Sequence, residues 1–223
     1  MNKQKTIMTG VLAVFLLNGI AGTSLYAFKN GDIQYWPRVG MQGKLNNRFA
    51  VNLEQEFRIG GQIGDFYFSQ TDFGIRMKLT SWLDCSVHFR SVFSESSDKW
   101  IMEERPHFNF IFTWKTGKIK WGHRSRFEYR KIADRDPFWR YRSQISVFLP
   151  MKNKCIHIEP YITDEINIDE VNREINRNRM YAGIKIKGQE NMSYALYYLY
   201  EKNKRDNDWT GIHVIGSKVI FTF

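Results

Sequence analysis

Gly211 to Phe223 reads Gly-Ile-His-Val-Ile-Gly-Ser-Lys-Val-Ile-Phe-Thr-Phe, and its alternation is that of one β-strand. Ile215, Val219, Phe221 and Phe223 share one face, while Gly216, Lys218 and Thr222 share the other. A strand of this length can cross an outer membrane. The segment therefore predicts the closing strand of a transmembrane barrel, with Val219, Phe221 and Phe223 as the C-terminal signal offered to the barrel assembly machinery.

The opposite end points the same way. Lys3 and Lys5 form a short positive region, Ile7 to Ile20 is mostly apolar, and Ala21, Gly22 and Ser24 lead to Ala27. This is the layout of a secretory signal peptide, with cleavage after Ala27. Leu25 stands where a small residue is preferred, which leaves a retained anchor as the alternative. The expected organisation is a signal peptide over 1–27 and one barrel domain over 28–223, exported through the inner membrane to the cell outer membrane.

No later segment holds the roughly 20 uninterrupted apolar residues of a membrane helix. The formal net charge of +10 becomes +8 when the two lysines of the signal leave. The positive charge is spread through alternating segments and forms no run, so nucleic acid is not an expected partner. Outer-membrane lipid and small anions are the expected counterparts. Cys85 falls in phase with Leu83, Val87 and Phe89, whereas Cys155 falls in phase with His157, Glu159 and Tyr161. Side chains on opposite faces of a wall cannot bridge, so two free thiols are expected.

Period-two alternation runs from Ile33 to Phe223 and gives eleven segments. They are Ile33 to Gly43, Arg48 to Ile59, Ser69 to Leu79, Trp82 to Phe93, Glu104 to Trp114, Lys118 to Tyr129, Phe138 to Leu149, Cys155 to Thr163, Arg179 to Lys187, Ser193 to Glu201, and Gly211 to Phe223. Tight connectors such as Leu45-Asn46-Asn47, Thr80-Ser81 and Thr116-Gly117 alternate with longer links, namely Ser94 to Trp100, Ile132 to Pro137, Asp164 to Asn178 and Lys202 to Thr210. Short periplasmic turns and long external loops alternate in this way in outer-membrane barrels. Such barrels have even strand numbers, so the expectation is an all-β, up-and-down antiparallel meander of about 12 strands. Gln62 to Phe68, or the stretch from Phe28 to Trp36, would supply the twelfth; merging a weak pair would leave 10.

Two faces separate clearly in the second half. Tyr141, Ile145, Val147 and Leu149 oppose Arg140, Arg142, Gln144 and Ser146; Met180, Ala182, Ile184 and Ile186 oppose Arg179, Lys185 and Lys187. A charged side chain turned to lipid costs about 2–4 kcal/mol at the bilayer midplane. In a barrel the arginine rows must face inward. A soluble periplasmic β-sandwich acting as a binding module would show the same alternation, with the apolar face inside. Tryptophans near segment ends, at 36, 82, 100, 114, 121, 139 and 209, suit the interfacial girdles of a barrel.

Several short pieces resemble, in order, the uncharacterised outer-membrane barrel proteins grouped as domain of unknown function 2490. They are His123-Arg124-Ser125-Arg126-Phe127-Glu128-Tyr129-Arg130, Arg140-Tyr141-Arg142, Glu159-Pro160-Tyr161, Asn178-Arg179-Met180-Tyr181-Ala182-Gly183, and the strand from Tyr194 to Glu201. The resemblance covers the chain from about Trp36 onward. It implies an outer-membrane barrel and supplies no activity or catalytic residue.

The candidate lumen network consists of Arg124, Arg126, Glu128 and Arg130 on one strand, Arg140 and Arg142 on the next, His157 and Glu159 beyond, and then Arg179. Guanidinium and carboxylate meet through two parallel hydrogen bonds, so these side chains can form a ladder across neighbouring strands. The ladder either fills a narrow lumen structurally or leaves a positive, anion-favouring pore. An outer-membrane lipid-acting hydrolase is the alternative, drawn from Ser125 near His123 or from Ser143 with His157 and Glu159. No metal or cofactor is expected. Asp164, Asp169, Glu170 and Glu174 read as a solvated acidic loop more readily than as a calcium site.

Overall fold

The computed structural model describes residues 29–223 apart from 97–98, 150, 153–156, 172, 189–190 and 206–207. The signal-peptide reading and Cys155 lie outside the described residues; Cys85 is a free thiol. The strands are β1 (Asp32–Lys44), β2 (Phe49–Gly60), β3 (Asp65–Lys78), β4 (Leu83–Ser96), β5 (Lys99–Thr116) and β6 (Ile119–Ile132). They continue with β7 (Phe138–Phe148), the two-residue β8 (Met151–Lys152), β9 (His157–Asp169), β10 (Ile175–Lys187), β11 (Met192–Arg205) and β12 (Asp208–Thr222).

Each long strand pairs antiparallel with the one before it, and β12 returns to β1, so the sheet closes on itself. β8 pairs only with β9, which leaves a closed ring of eleven strands. The all-β single-barrel meander is as the alternation predicts, and the count of twelve is not. The eleven segments legible in the sequence are the eleven strands of the ring; Gln62 to Phe68 forms no strand of its own, its first three residues lying in the turn after β2 and Asp65 to Phe68 opening β3. With an odd number, the last strand runs in the same direction as the first. The β1–β12 ladder is accordingly parallel, with Asp32 opposite Ile212 and Gln42 opposite Thr222.

One rim, here the turn rim, carries the connections at 45–48, 79–82 and 117–118. Asn46 Oδ1 accepts the backbone N–H groups of Arg48 and Phe49 at 2.8 and 2.9 Å, and Thr80 Oγ1 does the same for Trp82 and Leu83. Side chains that replace backbone partners are what hold such turns. At the opposite, far rim, the expected long links are largely strand. β9 runs through Asp169 and β10 starts at Ile175, so most of the polar stretch from Asp164 to Asn178 belongs to the wall. The physical reason is that polar residues there face inward: Glu165, Asn167 and Asp169 are buried while Ile166 and Ile168 take the other phase.

The outer face is apolar. Val87 is 69% exposed, Ile162 63%, Met180 54% and Ile145 45%, whereas Arg142 is 6% and Arg179 4%. A single closed sheet with this polarity excludes the sandwich reading. Trp114 and Trp121 stack at 6.1 Å beside the turn rim, and Trp82 stacks on Phe112 nearby. Trp139 packs on Tyr129 towards the far rim, and beyond it the outer face turns charged, with Lys131 Nζ 3.3 Å from Glu104 and Lys204 Nζ 2.7 Å from Glu174. The wall stands taller than its apolar band at that end.

Trp36 departs from the girdle expectation. It points inward and is wholly buried with Leu199, Ile212, Val214 and Tyr197. Its indole N–H donates to Gln34 Oε1 at 2.9 Å, and Tyr67 Oη donates to the same oxygen at 2.6 Å. Even-numbered residues of β1 face the lumen, a parity that its two aromatic neighbours in sequence, Tyr35 and Trp36, do not reveal.

Candidate functional site

The lumen is built around carboxylates that each draw in several guanidinium groups. Register explains the pattern. Arg126 of β6 and Arg142 of β7 stand directly opposite one another, which would set like charges face to face. Glu128, one inward step along β6, relieves this: its Oε1 accepts Arg142 Nη1 at 2.9 Å and Arg126 Nη1 at 3.4 Å. Arg105 Nη1 lies 3.8 Å from its other oxygen. Glu128 has no exposed surface. An isolated charge so placed would be strongly disfavoured, and three cationic neighbours offset that cost.

The lattice continues round the ring. Glu165 of β9 accepts Arg124 Nη2 and Arg142 Nη2, both at 2.6 Å, with Arg179 Nη1 at 3.5 Å. Arg179 passes on to Glu201 of β11 through its Nε at 2.5 Å. Asp169 accepts Arg140 through both oxygens, with Nη2 to Oδ2 at 2.8 Å. Glu103 of β5 is held bidentately twice, by Arg105 at 2.7 and 2.8 Å and by Arg130 at 2.6 and 2.8 Å. Glu56 of β2 closes the set with Arg38 and with Arg58 Nε at 2.7 Å. The Arg58 guanidinium also lies 3.7 Å from the Trp36 ring centroid and 4.0 Å from that of Phe68, so it joins the ionic lattice to the aromatic plug.

Seven of the nine residues singled out from sequence therefore stand together: Arg124, Arg126, Glu128, Arg130, Arg140, Arg142 and Arg179. His157 and Glu159 share the inward phase of β9 nearer the turn rim, with Lys185 opposite Glu159 in register. Among the described residues neither enters an ion pair with the arginines. Sequence reasoning passed over Glu56, Asp72, Glu103, Glu165 and Glu201, the partners that make the lattice close. Their signal was available as parity alone, since each lies in the inward phase of its strand.

The two drawn hydrolase pairings resolve differently. Ser143 faces outward, away from His157 and Glu159, and its Oγ lies 3.0 Å from His123 Nε2 on the outer wall. Ser125 Oγ is instead 3.1 Å from Tyr141 Oη. Among the described residues no carboxylate orients His123.

Asp72, His88 and His107 also gather on the inner face, with donor atoms within 4.8 Å of one another. His88 Nδ1 is 2.6 Å from Asp72 Oδ1, and the two imidazoles stack at 4.8 Å. Arg90 Nε occupies Asp72 Oδ2 at 2.7 Å. A cation at this cluster would meet a fixed positive charge, so the donor set fits a metal poorly. Asp169, drawn into the possible calcium loop, is likewise taken by Arg140.

A cavity of about 450 Å³ runs along the lumen, from Gln42, Asn52 and Lys218 near the turn rim to Arg140 and Arg177 in the far half. Inward side chains of the far half are buried, Asp32 at 2% and Glu201 at 2% among them, whereas Glu54 and Lys218 are half-buried and Lys185 is exposed. Lys218 Nζ pairs with Glu54, and Lys185 Nζ lies 4.3 Å from the Phe148 centroid.

The family described as "Protein of unknown function (DUF2490)" matches residues 33–211. No curated protein matches the chain. Among solved structures, LpxR from Salmonella typhimurium is similar at a TM-score of 0.50 and 9% identity, covering 82% of this chain and 87% of that one. At that identity the likeness concerns the fold alone, a barrel of comparable extent. The family match runs from the second residue of β1 into β12 and takes in every strand that contributes to the arginine lattice, so the chain belongs to the DUF2490 family of proteins of unknown function.

Proposed function

We propose that the protein resides in the cell outer membrane as a braced barrel, structural in role, whose lumen is closed by ion pairs towards the far rim and does not pass solutes freely. The carrying observation is the lattice itself: Glu56, Glu128, Glu165 and Glu201 are each at most 2% exposed and each is tied to at least two arginines. Side chains locked in this way fill the space that water occupies in an open porin. The charged outer face near Glu104 and Lys131 supports an external far rim, which turns the cavity to the periplasm. Lipid covers the apolar band, and the assembly machinery reads Val219, Phe221 and Phe223. In planar bilayers the purified barrel is silent, and the double variant Glu128→Ala with Arg142→Ala conducts. Discrete anion-preferring currents from the unaltered protein overturn this reading in favour of a pore.

A second reading has one observation behind it. The His123–Ser143 contact lies on the lipid-facing wall, where an ester substrate is at hand, and a serine needs such a base to act as a nucleophile. The missing orienting carboxylate weighs against it. Hydrolysis of added phospholipid in detergent, lost on Ser143→Ala, is the result that would establish a hydrolase.

A further inference from the structure

The lumen cavity carries more positive charge than its walls can neutralise. Twelve arginine and lysine side chains line it against four carboxylates, Glu54, Glu56, Asp72 and Glu165. Four more carboxylates that bond these arginines, Glu103, Glu128, Asp169 and Glu201, bring the balance to twelve against eight. Unmatched charge enclosed by protein and membrane is costly, and it is relieved by a counter-ion or by hydrogen bonds that spread it.

Donor groups left over in the same cavity say what kind of counter-ion fits. Arg124 gives Nη2 to Glu165, and its Nε is buried without a partner among the described residues. Tyr197 is 7% exposed, lies against the Arg38 guanidinium at 5.7 Å, and its hydroxyl is also buried without a partner among the described residues. Tyr181 packs on Tyr197 with ring centroids 5.7 Å apart and lines the same space. Guanidinium N–H groups and a phenol hydroxyl lining one space match an oxyanion, whose several acceptor oxygens can take them together, better than a spherical halide.

We propose that this pocket binds a small soluble oxyanion, a phosphate-bearing molecule above all, entering from the turn rim. The proposal deepens the closed-lumen reading by naming what the blind end accepts. A lipid phosphate does not fit as the source, since the pocket lies inside the closed ring and the wall separates its lining side chains from lipid.

The test uses the full barrel purified in detergent, with inorganic phosphate as probe and potassium chloride at matched ionic strength as reference. Millimolar phosphate raises the thermal unfolding midpoint saturably, and chloride does not. Arg124→Gln weakens the apparent affinity about tenfold or more, the loss of one charge-assisted contact. Tyr197→Phe, which keeps the ring, weakens it several-fold, while Lys131→Gln on the outer far rim leaves the phosphate shift in place. Equal effects of phosphate and chloride mean screening only and overturn the proposal, as does a phosphate shift that survives both pocket substitutions. Bilayer currents with the phosphate shift intact defeat the closed lumen but support the site, whereas silent bilayers with no shift defeat the site alone.

Discussion

Tyr197 lies across Gly216. The two face each other on β11 and β12, and a Cβ built on Gly216 would sit 1.9 Å from Tyr197 Cζ. Gly183 on the other side is equally committed, since its Cβ would fall 2.7 Å from Tyr197 Cβ and 2.9 Å from Tyr161 Cζ. A tyrosine can fold flat against the inner wall only because both neighbouring strands lack a side chain there.

Gly216→Val should therefore lift Tyr197 off the wall. Overpacking of this kind typically costs about 1–3 kcal/mol. The unfolding midpoint in urea, followed with the barrel in lipid vesicles, checks it: a drop of that size is expected for Gly216→Val. Gly117→Ala, at a turn glycine with open space around it but φ +60°, isolates backbone strain without any clash.

Cutting one strut of the lattice is expected to cost more than cutting two. Arg142→Leu leaves Glu128 and Glu165 short of a cation, and loss of one partner from a buried pair costs about 3–5 kcal/mol. Glu128→Leu with Arg142→Leu restores part of that. A double-mutant cycle from equilibrium unfolding reads the coupling directly, and additive costs would refute the bridging role given to Glu128 between Arg126 and Arg142.

Polarity of the wall gives a third expectation. Ile145→Arg places a guanidinium among lipid, with a penalty of about 2–4 kcal/mol if the site is near the midplane. Gln144→Arg, one residue away, points into the lumen. Vesicle insertion followed by heat-modifiable gel mobility should separate the two, with the first insertion-impaired and the second folded.

Much of this architecture was legible from periodicity. Each of the eleven alternating stretches became a strand, because residues such as Ile145 and Arg142 differ too much in hydration to exchange faces. What the alternation could not reveal was the height of the strands and, on β1, which phase faces inward. The stretch through Asp164, Glu165, Asn167 and Asp169 looked like a loop because inward positions of a filled lumen are as polar as solvent-facing ones. The candidate arginines were visible as a surplus. Their partners on β2, β3, β5, β9 and β11 were not, since pairing depends on cross-strand register and no local pattern encodes it. Trp36 was misplaced for the same reason: an aromatic near a strand end suits either a girdle or a plug, and only the phase of β1 decides.

The parallel seam has its own signature. Val39 and Val219 face each other in register, so Val39→Cys with Val219→Cys should cross-link under mild oxidation or with a short bis-maleimide. Val39→Cys paired with Ile215→Cys, four residues out of register or about 13 Å along the strand, should not. The reverse outcome would mean that the ring closes differently.

That seam also limits how the gene can be rearranged. In an even-stranded meander both chain ends meet at one rim, and a few residues can join them to give a circular permutant. Here Asp32 opens the ring at one rim and Thr222 completes it at the other, so a joining segment would have to travel the height of the wall, through hydrocarbon on one side or past Trp36 and the guanidinium struts on the other. Circular permutation through a short joining segment is closed to this ring by its odd count alone.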